Sequence, residues 1–397
     1  MAMPALMMQP EAIREQARAA FAEAGWPSRR SEAFRFTPLD SLAGQDWPLA
    51  APGSQPEPAL LEGPRLVFDG GQLVEAASDS LPEGWQLSSM QEDPAALAWL
   101  AARIGSDHPA QLALASAPAG WVLELAAGAD LEMCLNLDFI GGQPDRAAPS
   151  LILVRAGAGS RAVLAEQHRS KAGLAQPVIG FDLAAGARLD HAKYQQESPA
   201  TRHLGLSVAE LAEGSDLASF VLSSGAALAR CETQLTLAGP KAAARLSALY
   251  LGAGSQHHDI TTRLVHQAPD CQSEQLIKGV LDGAARGVFQ GQIQVAQQAQ
   301  RTDGQQMSRV LLLSREAEAN TKPELEIFAD DVACTHGATI GELEADQLFY
   351  LMARGIPREA ARSLLIAAFI QEALAQIRNQ QLASWLDGIA DSWGKAG

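Results

Sequence analysis

From about Trp121 the chain runs as short apolar segments punctuated by glycine. The stretch Leu125-Ala126-Ala127-Gly128-Ala129-Asp130-Leu131 is echoed by Val154–Ser160, Leu183–Leu189 and Leu211–Leu217, and more weakly by Leu237–Ala242. The turn glycines stand at 128, 157, 186, 214 and 239, so the intervals are 29, 29, 28 and 25 residues. Repeats of this length signal a solenoid or an array. Between the turns the apolar residues alternate, as at Val163 and Ala165, Phe181 and Leu183, or Leu204, Leu206 and Val208. Leu217, Phe220 and Leu222 follow the same pattern more loosely. Short alternating strands with no helix between them predict a β-solenoid, and the Asn ladder and helix of a leucine-rich repeat are missing. A single coil cannot cover its own apolar face. Stacked coils pair their backbones and leave open edges only at the two ends, where another chain can add.

Helical patterns flank this array. In Glu11–Ala24, Ile13, Ala17, Ala20 and Phe21 fall at helical spacing, and Gly25 with Pro27 stops the helix. Residues 45–64 are rich in Pro, Gly and Ala and predict a loop or linker. A second helix is expected over Asp93–Ala102, with Pro94 in its first turn and a stripe through Leu97 and Leu100. Towards the C-terminus the spacing predicts a helix over Ala345–Ala353, ended by Gly355 in a left-handed conformation. Pro357 opens a second, expected to bury Ala361, Leu364, Leu365, Ala368 and Phe369. A last helix includes Leu382, Trp385, Leu386 and Ile389. The expected organisation is an α-rich region over 1–105, a β-solenoid core over 106–341 and a helical domain over 342–397. The glycines at 279, 283, 287 and 291 fit tight turns and backbone crowding within the solenoid.

Composition narrows the function. The 397 residues include 47% hydrophobic ones, enough for a large core. The formal charge of −16 opposes binding to nucleic acid or to anionic membranes. No apolar run reaches the ~18 residues that crossing a bilayer requires. The start, Met1–Leu6, has neither the basic segment nor the apolar length of a secretory leader, so the expected compartment is the cytoplasm. Cys134, Cys231, Cys271 and Cys334 form no C-x-x-C pair, and the first three are expected as buried small hydrophobes. His257, His258 and His266 are expected at solvated surface or turn positions. Gly157-Ala158-Gly159-Ser160-Arg161-Ala162 fits a dinucleotide fingerprint formally, but the same turn recurs without the second glycine, so the repeat explains it. No P-loop, H-E-x-x-H or G-x-S-x-G is present. The C-terminal helices are too acidic for a DNA-reading pair.

At the junction between solenoid and helices lies Asp330-Asp331-Val332-Ala333-Cys334-Thr335-His336-Gly337-Ala338-Thr339-Ile340-Gly341. In an extended strand Cys334 and His336 share a face. Thiolate and imidazole are ligands for iron, zinc or an iron–sulfur cluster. Two ligands do not close a site, and a packed thiol beside a hydrogen-bonded imidazole is the other reading.

That junction, with the preceding Lys322-Pro323-Glu324-Leu325-Glu326-Ile327-Phe328-Ala329, resembles the signature of the SufB/SufD family of iron–sulfur cluster assembly proteins. Lys278-Gly279-Val280-Leu281-Asp282-Gly283, Ala285–Phe289 with Gly291, and Leu348-Phe349-Tyr350-Leu351 with Arg354-Gly355-Ile356 extend the likeness over the last third of the chain. Residues 27–39, PSRRSEAFRFTPL, and the chain length resemble the SufD branch. The resemblance implies a right-handed parallel β-helix and a non-catalytic scaffold whose partners are SufB and the ATPase SufC. It places His336 first, and Cys334 second, as metal ligands at the SufB interface, where a transient iron–sulfur cluster would be shared. It also implies that Leu348, Phe349, Arg354, Gly355, Ile356 and Phe369 dock SufC, although Phe349 and Phe369 are the stronger candidates for core. Where SufB is absent, a homodimer is the expected substitute. The alternatives are a SufB-like paralogue carrying the cluster, and a β-helical carbohydrate-active enzyme using paired carboxylates. Against the latter, Asp330-Asp331 is the only tempting acidic pair, and adjacent residues in a strand face opposite ways.

Overall fold

The computed structural model describes residues 9–396, so the stretch Met1–Leu6 read for a leader lies outside the described residues. The first helix, α1 (Pro10–Ala24), is followed by an extended segment and three short strands, β1 (Arg65–Asp69), β2 (Gln72–Leu73) and β3 (Trp85–Ser89). Two helices follow, α2 (Pro94–Ala101) and α3 (Ala110–Ser116). The region expected to be α-rich therefore also supplies strands. The solenoid continues with β4 (Gly120–Leu125), β5 (Asp130–Ile140), β6 (Ala147–Ala156), β7 (Arg161–His168), β8 (Gly173–Leu183) and β9 (Arg188–Gln195). Next come β10 (Thr201–Leu211), β11 (Asp216–Ser223), β12 (Leu228–Leu237), β13 (Ala243–Gly252) and β14 (His257–His266). The last coils hold β15 (Gln272–Leu281), β16 (Arg286–Val295), β17 (Thr302–Leu312), β18 (Glu318–Ile327) and β19 (Val332–Gly341). Three helices end the chain: α4 (Ala345–Ala353), α5 (Arg358–Leu374) and α6 (Gln380–Ala396).

Each coil gives one strand to either of two facing sheets. One has ten strands in the order β19-β17-β15-β13-β11-β9-β7-β5-β1-β2, the other nine in the order β18-β16-β14-β12-β10-β8-β6-β4-β3. From β4 and β5 onward every pairing is parallel. The two ends differ. The N-terminal end finishes on two short antiparallel strands, where β2 pairs β1 and β3 pairs β4. At the C-terminal end β18 and β19 are edge strands.

The expected turn repeat is present, with a change in which residue makes it. Left-handed residues recur at Gly128, Gly159, Gly186, Gly214, Lys241, Asp270 and Arg301. Gly157 and Gly239 are not among them. They are small because a neighbouring coil lies against them: a Cβ would sit 2.5 Å from Ala127 N and 2.0 Å from Glu213 N, respectively. Only Gly283 of the four-residue series is left-handed; a Cβ at Gly279 or Gly287 would instead meet the Tyr250 ring, which fills the lumen there.

Between the sheets, Leu137, Leu164, Phe181, Leu189, Leu217, Leu237 and Leu246 belong to one buried cluster. Helices cover the outer faces. α1, α2 and α3 bury Ile13, Leu97, Leu100 and Leu114 against Val122, Leu153, Val178 and Leu206 of the nine-stranded sheet. α5 and α6 bury Ile370, Leu374, Leu382, Trp385 and Leu386 against Ala192, Tyr194, Phe220, Leu222 and Leu249 of the other. The buried stripe of α5 is Ala361, Ile370, Ala373 and Leu374, while Leu364 and Ala368 face solvent, so the expected stripe is corrected by a rotation of the helix. His258 and His266, expected at the surface, are fully buried in the lumen, where Ser223 and Ser273 hold them at 2.8 and 2.9 Å.

Candidate functional site

The junction stretch forms β19, paired only on its β17 side, with Gly304 opposite Cys334 and Gln306 opposite His336. Alternation assigns Cys334 and His336 to the luminal face. The position of a Gly304 Cβ confirms it, lying 3.4 Å from Cys334 Sγ and 3.6 Å from Ile293 Cγ2. Gly337 faces outward, against Met307. The two side chains share a face but differ in environment. Cys334 is half-buried against Ile293, Val295 and Ala329. Burial, with a smaller push from Asp303, raises its thiol above the ordinary value, so the neutral thiol dominates near pH 7. His336 is exposed and has no hydrogen-bond partner among the described residues. With nothing stacked above them, Ile327, Phe328 and Ile340 of the last coil are 40%, 61% and 45% exposed. The site is thus one exposed imidazole and one half-sheltered thiol at the rim of an uncovered coil, and they belong to no compact group of three or more candidate ligands among the described residues.

The C-terminal helices carry the second set of expected residues. No residue of α4 is buried. Phe349, expected in the core, is 73% exposed, and Tyr350, Met352 and Leu364 are exposed with it. Leu348 and Ile356 are half-buried, Gly355 ends the helix at φ 86°, and Arg354 lies over the Tyr350 ring at 4.8 Å. Phe369 is apart from this patch: it packs against the solenoid with Lys278 Nζ 3.7 Å from its ring centre.

A polar group inside the lumen escaped the sequence reading. Glu166 accepts from His168 Nε2 at 2.9 Å and from His191 Nε2 at 3.0 Å, and Lys193 Nζ lies 3.8 Å away. Burial alone would raise the Glu166 carboxyl; the Lys193 charge and the two imidazoles hold it well below the usual range instead. Glu197 accepts from Gln195 at 2.6 Å and pairs with His203 Nδ1 at 2.9 Å. All of these residues are buried. The polar positions at 166, 168, 191, 193 and 195 sit in strands whose facing is not marked by any turn signal; alternate spacing at 166 and 168, and at 191, 193 and 195, hints at a common face within each strand.

Comparison with known proteins completes the description. The family model described as SUF system FeS cluster assembly, SufBD core domain, matches residues 139–369. The iron–sulfur cluster assembly protein SufD of Escherichia coli is 31% identical, covering 90% of this chain and 87% of its own length. The chloroplastic protein ABCI7 of Arabidopsis thaliana is 28% identical over 96% of this chain and 85% of its own. A SufBD family protein of Mycobacterium leprae is 27% identical over 90% and 87%.

Proposed function

This chain belongs to the SufBD family of iron–sulfur cluster assembly proteins, and we propose that within it the chain serves as the SufD-type scaffold subunit of a cytoplasmic SufB–SufC–SufD assembly. The observation that carries this reading is the uncovered last coil. Two edge strands offer unpaired backbone groups, and Ile327, Phe328 and Ile340 offer apolar surface beside them. Such an edge binds another strand-bearing chain by backbone pairing. SufB, a sister solenoid, is the partner we assign to it, and a second copy of this chain is the substitute where SufB is absent.

His336 would then lie in the seam. An exposed imidazole is free to ligate iron, and ligands from SufB would complete a set that this chain cannot close alone. Cys334 is the weaker candidate, because its raised thiol must lose a proton before it binds metal. The cluster is cargo that is built and passed on. The exposed apolar face of α4, with Phe349 and Tyr350 at its centre, is the surface we assign to SufC. Leu348, Arg354, Gly355 and Ile356 shape that face, whereas Phe369 packs on the solenoid and lies outside it. In this arrangement SufC hydrolyses ATP, and this chain transmits the resulting movement to the seam.

The test is co-purification with SufB and SufC, wild type against His336→Ala. The expected result is an intact complex whose cluster yield falls by about tenfold or more. Unchanged yield would remove His336 from the site, and wild type that recovers neither partner would reject the assignment.

A further inference from the structure

We propose that His168, Glu197 and His203 form a second metal site, buried inside the solenoid, that takes a borderline first-row dication such as Fe(II) or Zn(II). The site stands independently of the reading of the open end. One candidate ligand atom from each of the three residues lies within 4.8 Å of the others, and all three residues are buried. They converge from different parts of the coil path: His168 ends β7, His203 lies in β10, and Glu197 occupies the corner between β9 and β10. Ligands about 2.1 Å from a tetrahedral metal stand about 3.4 Å apart. The candidate atoms stand within 4.8 Å of one another, and for Glu197 to bind the metal alongside His203 Nε2 it must give up its 2.9 Å contact with His203 Nδ1. Rotamer shifts that release this contact close the shell.

Further features point to a ligand. His168 gives Nε2 to Glu166, leaving Nδ1 for coordination; a carboxylate behind an imidazole is the usual support of a metal-bound histidine. Gln195 fixes Glu197 in the same supporting manner. His203 Nε2 is buried without a hydrogen-bond partner, a costly condition for a group whose other nitrogen is engaged. Cys231 lies beside His203 and stands ready as an additional soft donor. Two nitrogens and one carboxylate are the donor set of zinc and ferrous sites rather than of calcium or copper(I).

The test uses the full chain produced in medium supplemented with Co(II), a visible stand-in for both metals. Elemental analysis should find about one cobalt per chain, with the ligand-field absorption of a low-coordinate nitrogen and oxygen site. His336→Ala and Cys334→Ser should keep both signals. Glu197→Gln and His203→Gln should lose at least about tenfold in occupancy. Wild type purified without stoichiometric cobalt overturns the proposal, leaving a proton shared by His203 and Glu197 as the group that balances the cluster. Cobalt lost with His336→Ala but kept by Glu197→Gln overturns it equally. Should the luminal variants fail to fold, the wild type decides: loaded chain must unfold at a higher temperature than metal-stripped chain, and equal midpoints sink the site.

Discussion

Tyr250 is fully buried, and its hydroxyl has no partner among the described residues. A Cβ at Gly279 would stand 2.1 Å from its ring. Gly279→Ala should therefore destabilise the chain by about 1–3 kcal/mol through overpacking, read as a lower urea midpoint. Tyr250→Phe removes a buried hydroxyl that nothing satisfies and should leave the midpoint equal or higher by about 1 kcal/mol. The luminal histidines make stability depend on pH. Burial, helped by the charge of His257, lowers His258 to about 3, and burial lowers His266 to about 4, from an ordinary 6.5. A depressed folded value means that the unfolded chain binds the extra proton. The contribution is complete above pH 6.5 and is lost as pH falls through that value towards 4 and 3. Urea midpoints should drop between pH 7.5 and 5, and His258→Asn should make that drop shallower; an equal slope would refute the assignment. The expectation that these histidines are solvated rests on where the residue type usually lies, and period-two spacing cannot correct it, because it marks two faces of a strand without saying which is inside. The Cys334–His336 pair was legible for the opposite reason: its shared face follows from spacing alone, whichever way it turns.

Among the elements, α5 is fastened to the solenoid by charge as well as by apolar packing. Glu372 accepts from Lys278 at 2.6 Å and from Arg309 at 2.7 Å, joining the helix to β15 and β17. The Lys278 side chain is fully buried while Glu372 is half exposed, so solvent weakens the pair on one side. Glu372→Ala should cost about 1–2 kcal/mol by leaving the lysine unpaired, discounted for that screening. Glu372→Gln should recover part of it in the same denaturation measurement. Helix positions were readable from their caps: Pro94, Gly355 and Pro357 mark the observed ends closely. The buried face of α5 was not. Leu364 and Ile370 both lie on apolar stripes, and only the sheet beneath the helix decides which one is covered. α3 was missed because its seven residues give too few periods to register.

For the whole molecule, the repeat spacing alone discloses a stack of coils, because each coil must return to the same place to pair with the next. It did not reveal how the ends are finished, since that depends on β1, β2 and β3 folding back from a region that looks helical. Placing a charge on the exposed rim tests what that rim does. Ile340→Arg should leave the far-ultraviolet circular dichroism and melting of the isolated chain unchanged, yet abolish recovery of SufB in co-purification; full recovery would show that the rim is not the contact surface. The unequal termini of the stack also set a counting rule. A rod able to add subunits at both tips grows into a filament, whereas one with a single sticky tip is used up once that tip meets another. If the long parallel edge at the C-terminal rim is the one sticky tip, assembly through it stops at two bodies, at any concentration, with no fibre to be feared.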